Sequence, residues 1–125
     1  VIPLVKFITT QISQGWDYNQ IIISSFDHTA LALIKDLNQK ILLGGLLYGI
    51  PASYAKFGEK LNLFSINPSI EFINQKLVDD AHSRGFKVWA YTANEIADIK
   101  KMSAMGVDGI FSDYPDKILN FKKHT

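Results

Sequence analysis

Polar and aromatic residues follow two short apolar segments near the end of this 125-residue sequence. The segments, 88–91 and 109–111, run into Tyr91-Thr92-Ala93-Asn94 and Ser112-Asp113-Tyr114-Pro115. A helix-like stretch separates them, which is too long for a hairpin and predicts two parallel strands. Because chemistry in parallel α/β proteins is found at the carboxyl ends of strands, we expect the functional site at these turns and at equivalent strand ends.

Aromatic side chains at two predicted strand ends are the first binding candidates. Phe26 follows the apolar run 21–23, and Tyr91 ends the strand 88–91. Two such rings form either an apolar wall for a small ligand or a cover that closes the top of the fold. Asn94 is expected to fix its loop through backbone hydrogen bonds. The weaker candidates at equivalent strand ends are Ser25, Leu46 and Asn67.

The carboxylates do not predict a metal site. Asp79 and Asp80 are adjacent on a predicted helix and point to different sides, which indicates a solvated surface. A better group is Asp108, Asp113 and Asp116, with Asp113 at a strand end. However, Asp-x-Pro after a strand ordinarily fixes a loop or caps the next helix. We therefore expect this chain to hold no metal ion.

The three histidines predict no catalytic group. We expect His28 at the surface beside a helix cap, His82 on a helix in a structural or exposed position, and His124 in a solvated basic tail. No histidine pair and no Ser-His-Asp arrangement can be assembled on the strand ends. The sequence thus predicts binding residues but no catalytic residues.

Hydrophobic periodicity predicts alternating helices and strands. The predicted helices are 3–14, 28–38, 54–60, 71–84, 95–105 and 116–123, and the predicted strands are 21–23, 41–46, 61–66, 88–91 and 109–111. Asp27 is expected to cap the second helix, and Gly15, Gly58, Gly85 and Gly106 are expected to end the helices before them. The residues expected to face inward include Ile2, Val5, Phe7, Ile8, Ile12, Leu31, Ile34, Leu37, Phe72, Leu77, Val78, Ala81, Ile96, Ile99 and Met102. The unbroken run 21–23 predicts a strand covered on both faces.

A repeating βα unit predicts an α/β fold with about five parallel units. Two architectures share this pattern: a complete five-stranded doubly wound sheet, or the C-terminal part of a TIM (β/α)8 barrel. Because the sequence enters in mid-helix and the units are short, we expect the barrel.

The composition limits the kinds of partner and site that we expect for this chain. The formal net charge is +1, which gives no electrostatic argument for nucleic acid, and there are no cysteines for disulfides or thiolate metal sites. The longest apolar run, 41–50, is interrupted by glycines and is shorter than the ~20 residues of a membrane span. The N-terminus lacks the layout of a signal peptide, and we expect a cytoplasmic protein.

From residue 21 onward the sequence resembles the C-terminal half of the glycerophosphodiester phosphodiesterases. Three segments carry the likeness in order and spacing: IIISSFD at 21–27, AHSRGFKVWAYTAN at 81–94 and GVDGIFSDYPD at 106–116. They are similar to the family's strand ending in Ser-Phe, its Ala-His-x-x-Gly strand with Trp-Thr-x-Asn, and its Gly-Val-Asp-Gly-Ile-x-Thr-Asp-x-Pro ending. Tyr91 stands where the family has Trp, and Ser112 where it has Thr.

The resemblance implies hydrolysis of glycerophosphodiesters to glycerol 3-phosphate and an alcohol, with Mg²⁺ or Ca²⁺ as cofactor. It implies that the wall residues pack against glycerol carbons or a lipid-derived chain. The family's catalytic His-Arg pair, second histidine and glutamate motifs belong to its first three βα units, and none of them occurs in this sequence. The resemblance therefore implies that residues 1–125 correspond to strands four to eight, without the catalytic part.

The missing catalytic part affects what we expect of the chain by itself. The isolated chain should be inactive. It should also associate with another copy or with the missing N-terminal half, or be poorly soluble, because a five-stranded open sheet exposes two edges and an apolar mouth. The alternatives are a complete small α/β module that binds a phosphate- or alcohol-bearing ligand without turnover, and a barrel of another family with incidental likeness.

Overall fold

The computed structural model describes residues 1–123 and shows helices alternating with five strands. The strands are β1 (Ile22–Ser25), β2 (Leu42–Leu47), β3 (Ser65–Pro68), β4 (Lys87–Ala90) and β5 (Gly109–Ile110). The helices are α1 (Ile2–Ser13), α2 (His28–Leu37), α3 (Phe57–Leu61), α4 (Gln75–Ser83), α5 (Ile96–Met105) and α6 (Pro115–Lys123), with a 3₁₀ turn at Tyr18–Gln20. The predicted order of elements is confirmed, whereas the tail residue His124 lies outside the described residues.

All five strands are parallel, and each pairs with the next one along the chain, in the order β1-β2-β3-β4-β5. A doubly wound sheet would reverse its strand order at a switch point, and this sheet does not. Consecutive order with crossovers of one hand places all helices on one face, as in successive units of a (β/α)8 barrel. The strand order therefore excludes the doubly wound alternative.

One face of the sheet forms the core with the helices. Leu43, Ile66 and Val88 of three neighbouring strands are completely buried there. The helices contribute Leu31, Ile34, Val78, Ala81 and Met102 to the same cluster. Removing this apolar surface from water is the main force that holds helices and sheet together.

The opposite face, here called the open face, carries the alternate strand residues, which include Ile22, Ser24, Gly44, Leu46, Asn67 and Trp89. Gly44 is required there, because a Cβ at this position would lie 2.8 Å from both Asn67 Nδ2 and Ser65 Oγ. Gly109 similarly leaves room for the indole of Trp89, whose Cδ1 would be 2.8 Å from an added Cβ. These two glycines thus leave room for the side chains of Asn67 and Trp89 on the open face.

Local capping explains most helix boundaries. The Asp27 carboxylate accepts a hydrogen bond from the Ala30 N–H (3.0 Å), as predicted, and the Asn74 side chain does the same for Leu77 (2.9 Å). Gly85 and Gly106 follow their helices with φ of +86° and +81°, which confirms both predicted stops.

The predicted boundaries of the helices and the strand between residues 54 and 84 are wrong. Gly58 does not end α3; it lies within that helix, packed on Phe86 and Ile66, and Asn62 ends the helix with φ of +51°. Consequently β3 begins at Ser65 rather than at residue 61, and it includes Asn67. Helix α4 begins at residue 75 rather than 71, because Asn74 rather than the loop before it supplies the cap.

Some residues predicted to face inward are exposed. Large exposed fractions are found for Ile2, Phe7, Leu37, Phe72 and Ile96. The first three lie at helix ends or on an outer helix face, Phe72 lies in the loop before α4, and Ile96 opens α5. Strand β1 is not covered on both faces either, since Ile22 and Ile23 are half-buried and Ser24 is exposed. The reason is its position at the edge of the sheet, which the apolar run alone does not reveal.

Within residues 1–123, no helix combines the length and the apolar character needed to cross a membrane.

Candidate functional site

Aromatic residues follow four of the five strands at the carboxyl edge of the sheet. Phe26, Tyr48, Tyr91 and Phe111 each come directly after a strand end. Phe26 and Tyr48 are mostly exposed, at 57% and 69%. Because this edge is where parallel α/β proteins bind their ligands, these rings define the candidate site.

The two predicted wall residues lie together. The rings of Phe26 and Tyr91 are 5.9 Å apart between centroids and meet edge to face at 89°. The Tyr91 hydroxyl donates a hydrogen bond to the Leu47 carbonyl (2.6 Å), which fixes its ring against β2. We call this pair the aromatic wall.

The Tyr91 hydroxyl stays protonated at neutral pH. Burial is the largest cause that raises its pKa, and the nearby charges of Tyr48 and Glu71 add to the effect. The protonated hydroxyl remains a hydrogen-bond donor, so the wall is uncharged and held in place.

Beside the wall lies a cavity of about 280 Å³, here called the Tyr48 cavity, lined by Tyr48, Ser69, Ile70, Glu71, Tyr91 and Thr92. Phe72 packs edge to face on Tyr48 at 4.8 Å, and the Tyr48 hydroxyl donates to Glu71 Oε2 at 3.1 Å. That hydrogen bond is the main cause that raises the pKa of Tyr48. Sequence reasoning missed Tyr48 and Glu71, although Tyr48 follows β2 just as Phe26 follows β1.

Asn94 links two loops at the same edge. Its Oδ1 accepts hydrogen bonds from the Asp113 N–H (2.9 Å) and the Ser112 hydroxyl (3.2 Å), and its Nδ2 donates to Asp113 Oδ2 (2.9 Å). Lys117 Nζ donates to the Asn94 carbonyl at 3.2 Å. We call Asn94, Ser112 and Asp113 the loop clamp. Asp113 therefore has the loop-fixing role expected for it.

The weaker candidates for binding residues do not all lie on the same face of the sheet. Ser25 lies on the helix side of the sheet, and its Oγ accepts a hydrogen bond from the Asp27 N–H (2.9 Å). Leu46 lies half-buried on the open face, in register with Asn67. Asn67 is completely buried, and its Oδ1 accepts from Ser65 at 2.7 Å, whereas its Nδ2 has no partner among the residues that the structure describes.

Both described histidines have structural partners. His28 is half-buried rather than at the surface: its ring stacks on Phe57 at 5.1 Å, and its Nε2 is 3.0 Å from the Leu46 carbonyl oxygen. His82 Nε2 is 2.7 Å from Asp108 Oδ2, at the end of the sheet opposite the aromatic wall. Neither histidine lines the Tyr48 cavity.

No group of three His, Asp or Glu residues in the described part of the chain could hold a metal ion. Asp108 and Asp113 are separated because they precede and follow β5. We expected Asp80 on a solvated helix surface, and the structure corrects this. The Asp80 Oδ2 accepts hydrogen bonds from Arg84 Nε and from the Ala55 N–H, both at 2.9 Å. The hydrogen bond from Arg84 is the main cause that lowers the pKa of Asp80.

The site can therefore bind an apolar or cationic group, and in residues 1–123 it assembles no acid–base pair. Consecutive parallel βα units with binding residues at the carboxyl edge define the chain as part of a (β/α)8-type α/β barrel. Comparison with known proteins identifies which barrel family this is.

The glycerophosphoryl diester phosphodiesterase family model matches residues 3–117, so the chain belongs to that family. A glycerophosphodiester phosphodiesterase of Caldanaerobacter subterraneus is 30% identical over 109 residues, and the match covers 83% of this chain and 44% of the relative. The chain thus spans less than half the length of this relative.

Solved structures agree on the fold. An Oleispira antarctica phosphodiesterase, solved in complex with the product sn-glycerol-3-phosphate, matches with a TM-score of 0.76 and 31% identity, over 82% of this chain and 41% of that one. A Galdieria sulphuraria structure, described as a glycerophosphodiester phosphodiesterase, matches with a TM-score of 0.85 at 21% identity, over 95% of this chain and 50% of that one. The match to the family model confirms the predicted family, and the structural matches confirm the α/β barrel architecture.

Proposed function

We propose that residues 1–125 form strands four to eight of a glycerophosphodiester phosphodiesterase barrel. The protein that carries them is proposed to hydrolyse glycerophosphodiesters to glycerol 3-phosphate and an alcohol, as a phosphoric diester hydrolase of lipid and glycerol metabolism in the cytoplasm. The observation that carries the proposal is the aromatic wall, which stands at the carboxyl edge of a consecutively ordered parallel sheet in a member of this family.

In this proposal the chain contributes binding. Phe26 and Tyr91 pack against the glycerol carbons of the substrate, and the hydrogen bond from Tyr91 to the Leu47 carbonyl holds the wall in one position. The loop clamp fixes the loop that follows Tyr91. Leu46 and Ser25 support the strand ends beneath the wall.

Proton transfer and metal binding are assigned to residues outside this chain. Mg²⁺ or Ca²⁺ requires several clustered oxygen ligands, and residues 1–123 offer no such group.

The test uses the protein that carries this chain at its natural length. Release of glycerol 3-phosphate from glycerophosphodiesters is measured with Mg²⁺ or Ca²⁺ present. The variant Tyr91→Leu removes the ring that the glycerol contacts, so we expect kcat/KM to fall about tenfold, mainly through a higher KM. Phe7→Leu, which alters an exposed ring on α1, is the matched control and should leave kcat/KM unchanged.

Two results would contradict the proposal. Absence of hydrolysis with either metal ion would remove the enzymatic function. Binding of glycerol 3-phosphate without any turnover would favour the small binding module instead.

A further inference from the structure

A second cavity lies on the helix side of the sheet, between α2 and α3. Its volume is about 490 Å³, which is within the range of small-molecule pockets. It is lined by His28, Ser53, Phe57, Leu61 and the three charged residues at positions 56, 59 and 60. We call this cavity the α2–α3 groove. No residue of the aromatic wall or of the Tyr48 cavity lines it, so it is a separate feature.

The apolar floor of the groove is held in one position. The rings of His28 and Phe57 lie parallel, with 3° between their planes and 5.1 Å between their centroids. His28 Nε2 is 3.0 Å from the Leu46 carbonyl oxygen, and because a carbonyl only accepts, this nitrogen donates the hydrogen. Phe57 also lies against Gly45, where an added Cβ would be 3.2 Å from the Phe57 ring. A preformed floor costs little conformational entropy when a ligand binds.

The rim of the groove carries two lysines whose charges are not balanced. Lys56 and Lys60 are exposed and four residues apart, which places their side chains on the same side of α3. Neither lysine forms an ion pair with an acidic side chain within residues 1–123. Glu59, the acidic residue of the lining, is already paired with Arg84. Like charges at this spacing repel each other, and a bound anion would remove the repulsion.

This combination suits an anion that has an apolar body. An inorganic phosphate would leave the floor of Phe57 and Leu61 uncovered, whereas a neutral amphiphile would leave the repulsion between the lysines in place. A fatty acid satisfies both parts of the groove. Its carboxylate oxygens accept hydrogen bonds from ammonium groups, and its methylene groups remove the floor from water. Charge complementarity and apolar surface therefore select the same ligand.

We propose that the α2–α3 groove binds a fatty acid, with the carboxylate between Lys56 and Lys60 and the acyl chain on Phe57 and Leu61. The groove is built from residues of this chain alone and is separate from the aromatic wall. Binding of a fatty acid there does not rest on the proposed function, and it should not compete with glycerol 3-phosphate.

The first experiment is an NMR titration of the protein that carries this chain at its natural length, with decanoate, octanoate and decan-1-ol below micelle-forming concentrations. We expect decanoate to bind about tenfold more tightly than octanoate, because it has two more methylene groups to bury. Decan-1-ol should bind about tenfold more weakly than decanoate, because it lacks the charge. Equal affinity for decanoate and decan-1-ol would overturn the proposal, and so would equal affinity for the two fatty acids.

The same titration locates the ligand. The amide signals of Phe57, Lys60 and Leu61 should shift on addition of decanoate, and they should shift equally when glycerol 3-phosphate is present at saturation. Displacement of decanoate by glycerol 3-phosphate would place the fatty acid in the substrate site and overturn the assignment. Because neither readout depends on turnover, the result is the same whether or not the protein hydrolyses glycerophosphodiesters.

The second experiment tests the two cations. Lys56→Gln and Lys60→Gln should each weaken decanoate binding about fivefold, and the double variant should weaken it about twentyfold. Both side chains are exposed, so their replacement should not disturb the fold. The matched control replaces two exposed lysines of α5, Lys100 and Lys101, with glutamine and should leave binding unchanged. Unchanged decanoate binding in the double variant, or an equal loss in the control, would overturn the proposal.

Discussion

At the scale of single residues, Asp108 shows how one carboxylate joins three elements. Its Oδ2 accepts a hydrogen bond from the Val88 N–H at 2.8 Å and lies 2.7 Å from His82 Nε2. Partial burial alone raises its pKa, but the bonds from Val88 and His82 and the charge of Lys87 outweigh burial, so the pKa of Asp108 lies below its ordinary value. The ionised carboxylate thus ties α4 to the start of β4 and β5.

The lowered pKa of Asp108 predicts that the free energy of unfolding depends on pH. A carboxylate with a lowered pKa in the folded state stabilises that state above its ordinary pKa and loses this contribution as the pH falls below it. Asp108→Asn should reduce the free energy of unfolding by about 1 kcal/mol near neutral pH, a modest value because the side chain is partly exposed. The difference in the free energy of unfolding between the wild type and the variant should shrink as the pH falls below about 4.

Urea denaturation of wild type and variant at neutral and acidic pH measures this difference. Asp36→Asn removes an exposed carboxylate on α2 and is the control for charge. A deficit for Asp108→Asn that stayed constant down to pH about 2.5 would contradict the ionic origin of the contribution.

At the scale of elements, the loop clamp joins the β4–α5 and β5–α6 connections. Both connections are short, and one backbone hydrogen bond joins them at the carboxyl edge, from the Ala93 N–H to the Phe111 carbonyl (2.9 Å). Asn94 supplies both an acceptor and a donor, which a side-chain amide does from a single position. The loop that follows Tyr91 therefore depends on residues about 20 positions further along the chain.

We predict that Asn94→Ala opens this region locally. The Asp113 amide loses its acceptor, so its hydrogen exchange should accelerate about tenfold, while the free energy of unfolding falls by only about 1 kcal/mol. Asn120→Ala, on the exposed side of α6, is the matched control. Unchanged exchange at Asp113 would mean that other contacts hold the two loops together.

At the scale of the whole molecule, the sheet ends in two strands that each have one partner in residues 1–123. β1 pairs with β2 alone, and β5 pairs with β4 alone. Ile22 and Leu46 lie half-buried on the open face. Unpaired edges and partly covered apolar surface favour association with further strands.

We therefore predict that the 125-residue chain by itself associates at high concentration and hydrolyses no glycerophosphodiester. Light scattering and an assay for glycerol 3-phosphate measure the two properties. Ser24→Lys places a charge on the open face at the edge strand and should reduce association, whereas Thr29→Lys on α2 adds the same charge elsewhere and should not. A monomeric wild-type chain at high concentration, or turnover by the chain alone, would contradict this prediction.

The sequence by itself determined the features that depend on residues close together along the chain. The Asp27 cap, the stops at Gly85 and Gly106, and the alternation of strands and helices follow from local capping and hydrophobic periodicity, and all are confirmed. The placement of Phe26 and Tyr91 at one edge followed from the same alternation, because parallel strands end on the same side.

Only the tertiary structure decided which distant residues meet. The sequence did not show that Tyr48, Glu71 and Tyr91 share a cavity, that Asn94 binds Asp113, or that Asp108 binds His82. Local patterns also misplaced the start of β3, because Gly58 resembles a helix stop but is buried against Phe86. Propensity and spacing act along the chain, whereas register, burial and side-chain pairing depend on how the strands assemble, and that assembly forms the site.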